Sequence, residues 1–226
     1  MSTAEKRFKA CIFDLDGTLL DTLGDLTAAV NRALEKSGLP SRSKAEVKSF
    51  IGNGALMLMS RASGLEPESA GCRALRVSFA AEYAAGTFGT TVPYEGICEL
   101  VADLASRGVK TAVVSNKDDS RTKALINRFF GKNVLLARGT LDESERKPDP
   151  AVTLDVIKSI GSAPSETVFI GDGRADFETA RNAGLAFIPV GYGYTDPDVL
   201  KSLSGVEPVK DVSALYEKLK EFFDPQ

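Results

Sequence analysis

The sequence predicts an α/β protein with a doubly wound, Rossmann-like parallel sheet as its core and a helical insertion after the first strand. Two observations support this fold class. Four short apolar runs are nearly continuous, as in parallel strands covered on both faces, at residues 10–13, 111–114, 167–170 and 186–190. From Glu95 onward, helix-like segments alternate with these runs, which is the element order of a parallel α/β sheet.

The segment after the first strand has no convincing strand pattern from Asp21 to about Ala85. Residues 22–36 are predicted to be helical because apolar residues recur at helical spacing: Leu23, Leu26, Ala29, Val30, Ala33 and Leu34. Further helices are expected at residues 47–51, 55–62 and 68–85, with a return linker at 86–93. We therefore predict a helical domain at residues 21–89, inserted into an α/β core formed by residues 1–20 and 90–226.

The rest of the core follows in order. Helices are expected at residues 97–107, before the second apolar run, at 119–129 and 150–160, between the second and third runs, and at 175–183, between the third and fourth. A further strand is predicted at residues 134–136. The chain of 226 residues is long enough for one large domain, or for a medium domain with a small companion.

The composition excludes several kinds of chemistry and partner. The chain contains no histidine, which excludes Ser-His-Asp and Cys-His nucleophiles, HExxH zinc sites and a histidine general base. Its 28 basic and 31 acidic residues nearly balance, so no charge pattern favours nucleic acid or an anionic membrane. The three cysteines form no CxxC pair, and no apolar stretch approaches the ~18 residues of a membrane span. We expect a soluble, cytoplasmic protein.

Polar clusters follow three of the predicted strands, and they contain the candidate site residues. The clusters comprise residues 14–18, residues 115–117 and residues 171–176. Because ligands of open α/β sheets bind beyond the carboxyl ends of the strands, these clusters are expected to converge. Asp and Gly at strand ends are also ordinary turn formers and helix caps, so any single cluster is open to that interpretation.

Convergence would bring four carboxylates together: Asp14, Asp16, Asp172 and Asp176. Crowded carboxylates repel each other, and a raised pKa or a bound cation resolves the repulsion. The candidate ligands are all oxygen donors, which suit Mg²⁺. Lys147, in a loop stiffened by two prolines, and Lys117 could supply positive charge, although a solvated surface position is the alternative for either lysine.

With the clusters in this order, the sequence resembles the haloacid dehalogenase superfamily, and more narrowly its phosphoglycolate phosphatase-like branch. The resemblance extends over essentially the whole chain. Four segments match the four motifs of the family in order: residues 14–22, Ser115, Lys147, and Gly171-Asp172 with Asp176.

The resemblance implies how the acidic residues act. Asp14 would be the nucleophile that forms an aspartyl-phosphate, and Asp16 would be the general acid and base. Mg²⁺ would be held by the Asp14 side chain, the Asp16 carbonyl and Asp172, with Asp176 in support. The presence of Asp16 argues against a dehalogenase, whose first motif lacks this second aspartate.

The remaining motif residues would contact the substrate. The resemblance implies that Ser115 and Lys147 hold the phosphate, and we expect Thr18, Asn116 and Lys117 to bind substrate beside them. For Lys117, substrate contact and a solvated position both remain open.

The insertion at 21–89 would be a helical cap that selects the substrate. Its Gly52-Asn53-Gly54 turn resembles the cap of phosphoglycolate phosphatases, so Asn53 and Gly54 are predicted to contact substrate. A plain helix–helix turn is the alternative for this segment, and Arg61 could be either a substrate ligand or a solvated helix residue. Gly173 departs from the family pattern, because the fourth motif often has Ser at this position.

We therefore expect a Mg²⁺-dependent phosphatase for a small phosphate monoester, with 2-phosphoglycolate as the leading substrate. A β-phosphoglucomutase-like phosphoryl transferase is the alternative within enzymes, and a non-catalytic regulatory protein with this fold is the alternative outside them. The partners expected are a small phosphorylated metabolite, no nucleic acid and no membrane, in a monomer or homodimer.

Overall fold

A five-stranded parallel sheet and a separate group of helices make up most of residues 8–52 and 54–223, which the computed structural model describes. The strands in chain order are β1 (Ala10–Phe13), β2 (Leu20–Asp21), β3 (Val92–Pro93), β4 (Lys110–Asp118), β5 (Leu136–Thr140), β6 (Thr167–Gly171) and β7 (Ala186–Pro189). The α-helices in chain order are α1 (Leu23–Lys36), α2 (Lys44–Phe50), α3 (Gly54–Ser63), α4 (Ala70–Ala85), α5 (Ile97–Ser106), α6 (Asp119–Phe129), α7 (Ala151–Ser159), α8 (Arg174–Ala183), α9 (Pro197–Ser204) and α10 (Val212–Phe223).

The five long strands form one parallel sheet in the order β5-β4-β1-β6-β7. The chain winds outward from β1 through β4 to β5 on one side, and through β6 to β7 on the other. The strand order therefore reverses at β1, which is where open α/β sheets bind ligands. The predicted doubly wound α/β fold is confirmed.

The central strands are apolar because both of their faces are covered. Every residue of β1 and β6 is buried, and helices α7 and α8 close one face of the sheet over a shared apolar cluster of Ile12, Ala112, Val114, Val156, Ile157, Phe169 and Ala180. Helices α5 and α6 pack against β4. This packing accounts for the continuous apolar runs by which the strands were predicted.

Two strands of the five-stranded sheet differ from the sequence-based expectation. Strand β4 continues beyond the predicted residue 114 to Asp118, with a register irregularity after Val114. The predicted strand at 134–136 is instead β5 at Leu136–Thr140, and Leu135 is 60% exposed. In β4, the apolar pattern stops after Val114, where the strand becomes polar. Strand β5 lies at the edge of the sheet and is only half-buried, so it lacks a continuous apolar run.

The helical unit extends from Leu20 to Val92 and contains helices α1 to α4, with α1 and α3 packed against α4. The Arg32 guanidinium of α1 contacts Glu82 of α4 at 2.8 Å, and Lys36 contacts the same carboxylate. The other unit consists of the residues up to Leu19 together with those from Pro93 onward. That the helical unit acts as a cap with boundaries at 21 and 89 stays a prediction. Within the described residues, no helix combines the length and apolar character needed to cross a membrane.

Candidate active site

The carboxyl ends of β1 and β6 bring three aspartates together at the point where the strand order reverses. Asp14 follows β1, Asp172 follows β6, and Asp176 lies in the first turn of α8. One carboxylate oxygen from each lies within 4.8 Å of the others. The three residues are 8%, 4% and 3% exposed, so a buried cluster of acidic side chains occupies this edge of the sheet.

Lys147 supplies the positive charge closest to this cluster, and it is itself buried. Its ammonium donates to Asp14 Oδ1 at 2.6 Å, to Asp176 Oδ1 at 2.6 Å and to the Val114 carbonyl at 3.1 Å. An ammonium has three N–H donors, so these contacts account for all of them. Lys147 thereby fixes the direction of Asp14, the predicted nucleophile.

One ammonium does not balance three buried carboxylates, and burial is the largest cause of the raised pKa values of two of them. Burial, with the charges of Asp176 and Asp16, raises the pKa of Asp14 to about 7 although Lys147 opposes the rise. Burial and the charges of Asp176 and Asp14 raise the pKa of Asp172 to about 8. Burial disfavours the charge on Lys147, but Asp14 and Asp176 raise its pKa above the usual value. A bound cation would stabilise the ionised carboxylates.

Asp172 is held in place by two donors from outside its own strand. Thr18 Oγ1 donates to Asp172 Oδ1 at 3.2 Å, and the Tyr194 backbone N–H donates to Asp172 Oδ2 at 2.6 Å. Thr18 was predicted to bind substrate, but it is fully buried and its hydroxyl contacts Asp172. The Tyr192 hydroxyl in turn donates to the Thr18 carbonyl at 3.1 Å. These contacts orient the Asp172 carboxylate toward the cluster.

Glycines surround the carboxylates because there is no space for a side chain. A Cβ at Gly17 would lie 2.4 Å from Asp172 Oδ2, and one at Gly193 would lie 2.3 Å from Asp172 Cβ. A Cβ at Gly171 would lie 2.4 Å from the Cβ of Asp176. The backbone thus approaches the acidic cluster from three segments, and the absent side chains permit that approach.

Replacing Gly193 by Ala is expected to displace Asp172 and to reduce activity. The new methyl group would overlap Asp172 at 2.3–2.4 Å, a separation that requires the carboxylate or the loop to move. Gly191→Ala is the matched control, since its Cβ would meet no atom closer than 3.3 Å. The measurement is kcat/KM for both variants with their melting temperatures. Equal activity in the two variants would show that the position of Asp172 does not depend on Gly193.

The end of β4 contributes three consecutive polar residues, each with a different contact. Ser115 Oγ accepts the Lys117 backbone N–H at 3.3 Å. The Asn116 side-chain amide donates to the Lys147 carbonyl at 3.1 Å and accepts the Lys147 N–H at 2.8 Å. The Lys117 ammonium lies 2.7 Å from Asp16 Oδ2. Asn116 therefore holds the backbone of Lys147, and substrate contact by Asn116 and Lys117 stays a prediction.

Three residues of the helical unit are candidates for substrate contact: Asn53, Gly54 and Arg61. Asn53 lies outside the described residues. Gly54 is the first residue of α3, and Arg61 is exposed and donates to the Phe50 carbonyl at 2.8 Å. Recognition of substrate by these residues stays a prediction.

Sequence reasoning missed the contacts that hold the site in place. It did not show that the Tyr194 N–H binds Asp172 or that Gly193 leaves space for it. Two glycines separated by one residue after a strand are a usable signal of close backbone approach. The sequence does not show that Asp172 is the residue that this backbone approaches.

Comparisons with known proteins agree with this geometry. A family model described as haloacid dehalogenase-like hydrolase matches residues 11–190. A phosphoglycolate phosphatase of Rhodospirillum rubrum is 32% identical over 215 residues, which cover 92% of this chain and 89% of that protein. An N-acetylmuramic acid 6-phosphate phosphatase of Pseudomonas aeruginosa is 33% identical over 208 residues, covering 91% of each.

A solved structure is also similar over nearly the full length. The protein comes from Lactobacillus delbrueckii subsp. bulgaricus, and its crystal structure is described as that of a candidate phosphoglycolate phosphatase. It superposes with a TM-score of 0.86 at 30% identity, covering 97% of this chain and 100% of the other.

Proposed function

The chain belongs to the haloacid dehalogenase-like hydrolase family, and from that premise we propose that it hydrolyses a small phosphate monoester through an aspartyl-phosphate on Asp14. The family and its relatives make it a phosphoric monoester hydrolase. The observation that carries the proposed mechanism is the position of Asp14, buried between the Lys147 ammonium and two further aspartates.

The residues present fit a Mg²⁺ ion. The cluster offers carboxylate oxygens within 4.8 Å of one another, and Mg²⁺ prefers oxygen ligands from one or two carboxylates. Asp14 and Asp172 would hold the ion with the Asp16 carbonyl. Asp176 would support them, because its two oxygens already accept Lys147 Nζ and the Gly173 N–H. When bound, the ion supplies positive charge that stabilises the ionised carboxylates and the phosphoryl oxygens.

In the first step, an Asp14 oxygen forms a bond to phosphorus while the bond from phosphorus to the ester oxygen breaks. Asp16 donates a proton to that leaving oxygen. Lys147 keeps Asp14 aligned through its 2.6 Å contact. We assign Ser115 and Lys147 to the phosphoryl oxygens, with Lys147 exchanging its longest contact, that with the Val114 carbonyl, for the substrate. Fixed positive charge that is already in place requires little reorganisation during the reaction.

In the second step, water attacks phosphorus and Asp16 accepts its proton. The bond between Asp14 and phosphorus breaks, which releases inorganic phosphate and restores the Asp14 carboxylate. A carboxylate nucleophile thus divides one difficult displacement into two easier ones. No histidine is needed for either step, in agreement with a chain that contains none.

Asp16→Asn is expected to lower turnover of an alkyl phosphate by about 10²- to 10⁴-fold, the usual contribution of general acid–base catalysis. An amide cannot transfer the proton, so the phospho-enzyme should also persist longer. With an aryl phosphate, whose phenolate leaves without a proton, the first step should survive as a burst of one phenolate per enzyme. Steady-state rates on the two substrates and a rapid-mixing burst measure these effects. Unchanged turnover of the alkyl phosphate would remove Asp16 from this role.

The substrate we propose is 2-phosphoglycolate, supported by relatives such as the R. rubrum phosphatase. N-acetylmuramic acid 6-phosphate is the second candidate, supported by the P. aeruginosa relative, which covers a similar share of this chain. The test is release of inorganic phosphate from a panel containing both esters and β-glucose 1-phosphate. A higher kcat/KM for 2-phosphoglycolate supports the first candidate. Conversion of the sugar 1-phosphate to its 6-phosphate without phosphate release would instead indicate a transferase.

A further inference from the structure

Lys117 forms a buried ion pair with the predicted acid–base residue. Its ammonium lies 2.7 Å from Asp16 Oδ2, and the two side chains are 4% and 19% exposed. A lysine this deeply buried requires a partner of opposite charge, because desolvation of an uncompensated ammonium costs several kcal/mol. Ionised Asp16 provides that charge, and a neutral Asp16 carboxyl group still accepts a hydrogen bond from the ammonium, so the conformations of the two side chains depend on each other in both protonation states.

The parallel sheet determines that these two residues meet. Strands β1 and β4 are adjacent, and Phe13 of β1 lies opposite Val113 of β4. Asp16 comes three residues after Phe13, beyond the end of β1, and Lys117 comes four residues after Val113, in the part of β4 that continues past the end of β1. Rigid strands are better supports for a precise contact than mobile loops are.

The backbone of Lys117 is held from two sides. Its N–H donates to Ser115 Oγ at 3.3 Å. Its carbonyl oxygen lies 2.5 Å from where a Cβ at Gly139 would be, so β5 approaches this segment closely only because residue 139 has no side chain. The side chain of Lys117 therefore extends to Asp16 from a fixed point.

The two buried lysines of the site serve different carboxylates. Lys147 contacts Asp14 and Asp176, whereas the ion pair of Lys117 is with Asp16. Lys117 is therefore placed to act on the residue that moves protons, separately from the residue that attacks phosphorus.

We propose that Lys117 is a positioning residue that holds the Asp16 carboxyl group in the orientation required for proton transfer. This inference rests on the proposed function of Asp16. Lys117 keeps its own protons in both steps and contacts neither the leaving oxygen nor the attacking water. It replaces the substrate-binding role expected from the sequence, in which Lys117 would contact the ligand directly.

The test is a double-mutant cycle on Lys117 and Asp16. Lys117→Met retains the length of the side chain and removes its charge, and we expect a loss of about 10-fold or more in steady-state turnover of an alkyl phosphate. The loss in turnover should not exceed the ~10²- to 10⁴-fold rate contribution of general acid–base catalysis. Because Lys117 acts through Asp16, the D16N/K117M double variant should be no slower than D16N alone. Lys117→Arg, which keeps the charge, should be faster than K117M.

Two further readouts separate positioning from direct binding of substrate. With an aryl phosphate, K117M should retain the rapid phenolate burst and lose only steady-state rate, as D16N does. The inhibition constant of inorganic phosphate should be unchanged in K117M. Lys123→Met is the matched control, because Lys123 also pairs with an aspartate at 2.7 Å but that aspartate is Asp119. K123M should keep wild-type turnover and burst.

Several results would overturn the proposal. If the losses in turnover of D16N and K117M multiply in the double variant, Lys117 contacts substrate instead of acting through Asp16. Weaker inhibition by phosphate in K117M would mean the same. Equal losses in K117M and K123M would mean a general structural effect, and melting temperatures report on that directly. If K117M does not fold, Lys117→Gln takes its place in the cycle with the same expectations. An unchanged D16N would reject the role of Asp16 itself, whereas an altered D16N with an unchanged K117M would reject only the role of Lys117.

Discussion

Asp14→Asn is expected to abolish turnover while leaving the fold intact. The amide is a poor nucleophile, and the substitution also removes one of the carboxylates that would bind a cation. The fold should survive because Lys147 keeps its contacts with Asp176 and the Val114 carbonyl. The measurements are phosphate release and the melting temperature of the purified variant.

Asp119→Asn is the matched control for Asp14→Asn. Asp119 is also a buried aspartate beside β4, and it accepts the Gly139 N–H at 3.0 Å and pairs with Lys123 at 2.7 Å. We expect this variant to lose stability but to keep measurable activity. Normal activity in a folded Asp14→Asn variant would show that Asp14 is not the nucleophile.

Removal of divalent metal is expected to stop catalysis completely, and Mg²⁺ should restore it. When all three buried carboxyl groups are ionised, their negative charge exceeds what Lys147 alone balances, and the raised pKa values of Asp14 and Asp172 show that ionisation is disfavoured without a further cation. Because the ion binds only the folded site, it should raise stability by about 2.7 kcal/mol at a hundred times its dissociation constant. Activity in excess chelator and a melting curve with and without Mg²⁺ measure the two effects.

Asp172→Asn separates metal binding from catalysis, because the melting curve does not require turnover. We expect this variant to lose most of the increase in melting temperature that Mg²⁺ produces. Full activity of the wild-type enzyme in excess chelator would refute the proposed metal dependence. An unchanged Mg²⁺-dependent increase in the variant would place the ion elsewhere.

The elements predicted most accurately are those whose burial shows directly in the local sequence pattern. Strands β1 and β6 are covered on both faces, so their apolar runs match the observed strands closely. The apolar stripe of α1 likewise predicted its extent, because Leu26, Val30 and Ala33 face the interior of one small unit. These elements are determined by local pattern, and local pattern is visible in the sequence.

Elements at the edge of the sheet were predicted less well. Strand β5 alternates between buried and half-buried residues and includes Arg138 and Gly139, so it lacks an apolar run. Helices α9 and α10 were not predicted, although Val212, Leu215 and Leu219 of α10 recur at helical spacing and are buried. Strand β5 was predicted poorly because it lies at the edge of the sheet, whereas the helical pattern of α10 is present in the sequence itself.

The acidic residues of the site could be found from the sequence because each directly follows a strand or opens a helix. Their supporting contacts could not. Thr18, Tyr194 and Lys117 contact carboxylates through hydrogen bonds and an ion pair across large sequence separations, up to 154 residues for Thr18 and Asp172. Such contacts depend on the register of neighbouring strands, and one sequence without its structure does not give that register.

The central claim is that the reaction passes through a phosphoryl group attached to Asp14. The direct measurement is to mix the Asp16→Asn variant with an aryl phosphate and Mg²⁺, quench in acid, and reduce the acyl phosphate with borohydride. Peptide mass spectrometry then locates the reduced residue. We predict that position 14 is converted from aspartate to homoserine, only after exposure to substrate. Phosphate release with residue 14 unmodified, or conversion of a different aspartate, would contradict the account.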